Sequence, residues 1–194
     1  KPSLFTSPTF FRRFQKNVGF RFATRQETEK VIRHHYYNNQ VIDSLAKKSI
    51  TDPEHPKFVY THLALPHHPY YFDAKGNEIP LQNLTDSFNM NKQAYIDYLL
   101  YSNKKLLELI DRIKSESSTP PVIILMSDHG FRQFPAGVSP SYQFINLNAV
   151  YLPDGNYTGF YSGMSNVNEF RIILNTEFGQ RLSLLKDTSI YLTE

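Results

Sequence analysis

The chain has 194 residues, a formal net charge of +3, 40% hydrophobic residues and no cysteine. That length favours one domain, 1–194, with a substantial core, and the charge is too small to argue for nucleic acid or an anionic membrane surface as partner. The missing cysteine excludes disulfides, thiolate metal sites and a thiol nucleophile without assigning a compartment, and no stretch approaches the roughly 20 apolar residues of a bilayer span.

The chain opens on Lys1 with no secretory signal peptide, so it is expected to be a piece of a longer polypeptide whose upstream part could carry a membrane anchor. Residues 1–23 mix Phe10, Phe11, Phe14, Phe20 and Phe22 with Arg12, Arg13, Lys16 and Arg21. They are expected to pack on the core with the basic groups solvated. Thr24-Arg25-Gln26-Glu27 fits a capping box. A helix should follow to about Lys48, with Val31, Tyr37, Val41, Ile42 and Leu45 near helical spacing. A Pro-containing break at 51–56 closes an N-terminal helical segment, 1–56, ahead of a sheet core, 57–194.

Residues 57–63 read as a strand. The loop 64–88 that follows, rich in Pro, His, Asn and Asp, is long for a compact domain and so is expected to be functional or flexible. A second helix is expected over 91–114, with an apolar face of Tyr95, Leu99, Leu106, Leu109, Ile110 and Ile113. The run Val122-Ile123-Ile124-Leu125-Met126 reads as a strand buried on both faces. Strand, helix and strand form a crossover unit that is normally parallel. The predicted fold class is therefore α/β, a mainly parallel sheet flanked by helices. A third strand is expected over 146–152, a helix over 168–178 stopped at Gly179, and a short edge strand at 189–192. The sequons Asn83-Leu84-Thr85 and Asn156-Tyr157-Thr158 carry no weight without a secretory host.

Ser127-Asp128-His129-Gly130 ends the central strand. Open α/β sheets place ligand sites at the carboxyl ends of their strands. Asp128 and His129 offer one hard oxygen and one borderline nitrogen, a good pair for a divalent cation. Gly130 lets the chain turn away close behind them. His67-His68-Pro69-Tyr70 follows the first expected strand and should open on the same rim. An imidazole there could bind metal, hold an anionic substrate or protonate a leaving group.

The strings HLALPHHPYYFDAKGNEIP, YIDYLLYSNKKLLELIDRI, PVIILMSDHGFR, NLNAVYLP and NVNEFRIILNTEFG, in that order over roughly 57–192, resemble the sulfatase-like branch of the alkaline phosphatase superfamily. The resemblance is strongest to membrane-anchored sulfatase-like proteins of bacteria related to lipoteichoic acid synthases and phosphoethanolamine transferases. It implies an alkaline-phosphatase-like sheet and a divalent metal, with zinc, manganese, magnesium and calcium not distinguished. It also implies a phosphate- or sulfate-ester substrate and an extracytoplasmic, periplasmic or cell-surface location. The membrane would be reached only through a segment outside this chain. Carried over, Asp128 and His129 hold the metal, and His67 faces the transferred group and its leaving oxygen. His68 sits at the variable position and takes no role. Arg132 could hold an anion through its planar fork. Val167-Asn168-Glu169-Phe170-Arg171 opens a helix read as packing.

The family's nucleophile and an acidic metal ligand come from the N-terminal half of its domain, ahead of the His-x-Pro loop, and no counterpart stands out in the residues that precede that loop here. The chain is therefore expected to be the C-terminal half of a sulfatase-like catalytic domain, an incomplete sheet and nearly inactive alone. His67, Asp128 and His129 are expected within on the order of 10 Å of one another, since one small site holds metal and substrate oxygens. Two alternatives stand beside this reading: a non-catalytic sulfatase-like interaction module, and an unrelated α/β domain in which the motifs are chance.

Overall fold

The computed structural model describes residues 57–84, 91–132 and 137–190, with Arg33, Gln40, Ser44 and His55. The expected segment 1–23, the capping box, most of the helix reaching Lys48, and Tyr191 and Leu192 of the expected edge strand lie outside the described residues. Arg33, Gln40 and Ser44, inside that first expected helix, are helical. The chain divides into two compact units, Lys1–Glu116 and Ser117–Glu194.

In the first unit a single turn, α1 (Leu81–Leu84), precedes the long helix α2 (Lys92–Glu116). Asn91 caps α2, its Oδ1 accepting the Ala94 N–H at 3.0 Å. The buried positions of α2 are Tyr98, Ser102 and Leu109, so the core-facing stripe is centred on Tyr98 and Ser102. Ser102 can be buried because its hydroxyl donates to the Tyr98 carbonyl at 2.6 Å. Tyr98 is completely buried. Rings surround it at centroid distances of 6.0 Å (Tyr70), 6.1 Å (Tyr71), 6.4 Å (Phe72) and 6.1 Å (Tyr101). Aromatic pairs at such spacings contribute roughly 0.5–1.5 kcal/mol each beyond area burial. Burial pushes the Tyr71 phenol up to about 12.

The loop 64–80 is ordered by this cluster and by a tight reversal at its end. Phe72 and Glu78 form an antiparallel bridge. Between them Asp73 Oδ1 accepts the backbone N–H groups of Lys75 (2.9 Å) and Asn77 (2.8 Å), and Oδ2 accepts the Asn77 side-chain amide at 2.8 Å. The bond from the Asn77 amide leads the causes that hold the Asp73 carboxyl below the usual range. Gly76 completes the turn at φ 89°.

In the second unit β1 (Ile123–Met126) pairs with β2 (Asn148–Tyr151), with Ile123 opposite Tyr151 and Met126 opposite Asn148. The α/β class holds, with helices beside a sheet, but the described sheet differs from the mainly parallel one expected. Among the described residues the sheet has two strands and is antiparallel. Residues 57–63 lie in no strand; Phe58 and Tyr60, on one side of the segment, are 81% and 76% exposed, while Thr61 and Leu63 on the other are half-buried. The return from β1 to β2 includes a 3-10 helix at Pro140–Phe144 and, among the described residues, no crossover helix of the kind a parallel pair requires. With one partner strand, β1 is half-buried throughout and not enclosed on both faces.

α3 (Asn166–Glu177) follows, with Asn168, Glu169, Ile172 and Ile173 buried. Gly179 at φ 60° reverses the chain, and residues 182–187 return along α3 as an extended strap. Asn175 donates to the Leu182 carbonyl (2.9 Å) and accepts its N–H (2.7 Å). Asn168 does the same at Leu185, at 2.7 and 2.8 Å. Seven residues of helix rise about 10.5 Å, and three extended residues about 10 Å, so the two amides meet the strap in step. Asp187 closes it by accepting the Tyr161 hydroxyl (2.6 Å) and the Ser165 N–H (2.7 Å).

Two outcomes follow from this packing. Tyr98→Ala should destabilise the chain by about 3–5 kcal/mol, the usual cost of removing a buried ring, and Tyr98→Phe by far less; denaturant unfolding compares them. The strap should also be acid-sensitive. The bonds from Tyr161 and then Ser165 lower the Asp187 carboxyl from 3.8 to about 2. A depressed carboxyl contributes stability that is present above its unfolded value and lost as pH falls through the folded one. Hydrogen-exchange protection at Leu185 should therefore hold steady at neutral pH and decline as pH falls from 3.8 towards about 2. Asp187→Asn should lack that acid step. Constant protection down to the folded value in the parent chain would contradict the latch.

Candidate functional site

The chain leaves β1 at Ser127, which is bound twice to Leu147. Its N–H donates to the Leu147 carbonyl at 2.9 Å, and its hydroxyl oxygen accepts the Leu147 N–H at 2.8 Å. The Asn146 side chain donates to the Ser127 carbonyl at 2.8 Å. Asp128 and His129 project from this fixed point, Asp128 with its side chain 81% exposed and His129 with 30%. His129 Nδ1 lies 2.6 Å from the Gly130 carbonyl. That contact is a hydrogen bond only if Nδ1 carries the proton, which leaves the Nε2 lone pair free in the neutral ring. Nε2 lies 3.7 Å from Asp128 Oδ2. Zinc takes nitrogen and oxygen ligands at roughly 2.0–2.2 Å, so one ion can bridge two atoms at that separation. The donor pair fits a divalent metal. Among the described residues no group of three His, Cys, Asp or Glu side chains gathers to hold one.

Gly130 is required here by a close approach. A Cβ on it would lie 2.5 Å from the Tyr142 carbonyl oxygen and closer still to that of Ile145, and its N–H donates to the Gln143 carbonyl at 2.7 Å. The 3-10 helix thus packs its last carbonyls directly behind the motif. Arg132 is exposed two residues further on.

His67 belongs to the first unit and is exposed. Its Nδ1 is hydrogen-bonded to the His68 carbonyl, which leaves Nε2 as the nitrogen able to exchange a proton. The two imidazoles stack with centroids 4.3 Å apart. His68 is half-buried, and burial first, then the His67 charge, lowers its pKa. Its ring packs against that of His67. A cleft of about 380 Å³ in the first unit, bordered by Leu63, Leu65, Tyr101 and Lys105, includes none of these candidate residues in its lining.

The motif is braced by Asn146, Leu147, Asn148, Asn166 and Glu169, none of which has a role at the site in the sequence reading; Glu169 reads there as helix packing and 146–148 as part of a strand. Asn148 Nδ2 donates to Glu169 Oε2 at 2.6 Å, and Asn166 Nδ2 reaches the Ser127 carbonyl at 3.5 Å. The available signal was the density of asparagines, at 146, 148, 166 and 168, around the ends of β2 and α3.

Gly130→Ala is expected to destabilise the second unit by roughly 1–3 kcal/mol or more, the scale of overpacking, because the methyl group meets backbone that cannot rotate away. Denaturant unfolding reads the loss; wild-type stability would show that the 3-10 helix moves freely.

A family model described as Sulfatase matches residues 5–172 of the chain. No curated protein and no solved structure matches it.

Proposed function

The chain belongs to the sulfatase family, part of the wider alkaline-phosphatase-like superfamily, and on that premise we propose that it carries part of the active site of a metal-dependent hydrolase or transferase acting on phosphate or sulfate esters. The observation that carries this reading is the Asp128–His129 pair at the end of β1. A carboxylate oxygen and an imidazole nitrogen stand 3.7 Å apart, and the Nδ1 contact with the Gly130 carbonyl leaves Nε2 available as a ligand. In this proposal Asp128 and His129 are two of the metal's ligands. When bound, the metal supplies positive charge that activates a nucleophilic oxygen and stabilises the oxygens of the transferred group.

His67 donates a proton from Nε2 to the leaving oxygen, the kind of transfer imidazole performs near neutral pH. Arg132 offers its guanidinium fork to an anionic substrate. No residue is assigned as nucleophile. Likeness to the lipoteichoic acid synthase and phosphoethanolamine transferase relatives supports an extracytoplasmic setting and the superfamily's wider parallel sheet as further parts of the same proposal. No helix among the described residues is long and apolar enough to cross a membrane.

The test measures metal content by mass spectrometry beside turnover of aryl phosphate and aryl sulfate esters of graded leaving-group pKa, in the natural polypeptide. Asp128→Ala and His129→Ala should lose both metal and turnover. His67→Ala should keep the metal and lose roughly 10²–10⁴-fold, most for the poorest leaving groups. The 194-residue chain alone should turn over negligibly, since catalytic zinc sites usually take three protein ligands. If the three variants match the parent, the reading fails and the chain is better described as a non-catalytic sulfatase-like interaction module.

A further inference from the structure

Glu169 stands in the first turn of α3 and is completely buried. Its Oε2 accepts the Asn148 amide at 2.6 Å, and its Oε1 is buried with no hydrogen-bond partner. A buried carboxyl with one oxygen unmatched is costly, and a leucine would fill the same space without that cost. Packing of α3 alone therefore does not account for it.

What Glu169 holds is the end of the sheet. Asn148 is the first residue of β2 and lies opposite Met126, the last residue of β1. Leu147, its neighbour, makes the two bonds to Ser127. The Asn148 amide also reaches Asn166 Oδ1 at 3.4 Å, and Asn166 reaches the Ser127 carbonyl at 3.5 Å. Two routes thus run from Glu169 to residue 127, one through the strand ladder and one through Asn166. The Ser127 carbonyl belongs to the peptide bond that leads into Asp128. Fixing its direction fixes how Asp128 and His129 leave the strand.

We propose that Glu169 is a positioning residue for the Asp128–His129 pair, acting through Asn148 and Asn166 on the Ser127–Asp128 peptide. The proposal rests on reading that pair as a working metal site. Glu169 bonds to Asn148 and acts on the pair at one remove; its role is to keep the two donor atoms facing one point. Burial raises its pKa, with the Asn148 bond opposing.

The experiment compares Glu169→Leu, Glu169→Gln and Asn148→Ala with the parent, and uses Ile173→Val as a control that perturbs the same helix away from the network. Two readouts are taken on the natural polypeptide: the His129 ring tautomer by nitrogen-15 NMR without metal, and the zinc affinity by calorimetry. Glu169→Leu and Asn148→Ala should lose the Nδ1–H preference and bind zinc roughly 10- to 100-fold more weakly, the usual cost of removing an outer partner of a metal ligand. Glu169→Gln, which keeps an acceptor oxygen for Asn148, should stay near the parent, as should Ile173→Val. Asn148 is exposed, so its variant reports on the link even if Glu169→Leu fails to fold. An unchanged tautomer in Asn148→Ala overturns the proposal. If the parent itself binds no zinc, the metal reading falls, while the tautomer comparison still decides the positioning role.

Discussion

The second unit depends on the paired hydrogen bonds between Ser127 and Leu147. They extend the β1–β2 ladder one residue past its last strand pair and use a side chain as the second acceptor. Because the serine hydroxyl stands in for a carbonyl, the chain is free to break from strand geometry immediately afterwards. Asp128 and His129 then leave the sheet from a point that cannot slide. Gly130 follows, and its lack of a Cβ lets the carbonyls of Tyr142 and Ile145 press against the motif. Register, exit direction and backing all converge on residue 127.

The first unit uses a different principle. Its loop from 64 to 80 has almost no ladder, and its order comes from rings packed around Tyr98 and from the Asp73 turn. Stacking of Phe72 on Tyr101 at 4.4 Å ties the reversal to α2. A segment rich in proline and histidine can be well placed without being a strand or helix, provided its aromatic residues find one face of a neighbouring helix. His67 belongs to that kind of segment. It is exposed while its neighbours Tyr70, Tyr71 and Phe72 carry the packing.

Much of this was legible in the residues. α2, both strands and α3 fall within a few positions of where periodicity and capping place them, and the polar pair at the end of an apolar run marks the candidate site directly. The misses have physical causes. A run of five apolar residues says that a strand avoids water, not which neighbour it pairs with. The antiparallel partner is decided by a return loop whose path carries no periodic signal. The expected stripe on α2 includes Leu109, which is buried, and misses Tyr98 and Ser102; a serine that bonds its own helix carbonyl can be buried without an apolar side chain. Glu169 reads as packing, and it is buried; what the sequence does not carry is its partner, since Asn148 lies 21 residues away and only the fold brings the two together.

Two of the asparagines of α3, Asn168 and Asn175, have a consequence for how the strap over 182–187 can vary. Asn168 and Asn175 recognise Leu182 and Leu185 through peptide groups alone, while the leucine side chains stay partly in solvent. Recognition of this kind is blind to side-chain identity and strict about count. Between 182 and 185, exchanging one residue type for another leaves both amide clamps intact as long as positions 182 and 185 keep the N–H that proline lacks. Inserting or deleting one residue between those two positions puts the strap out of step with the helix by about 3.3 Å, and only one of the two clamps can then be engaged. Drift in this segment is therefore tolerated as substitution and resisted as change of length.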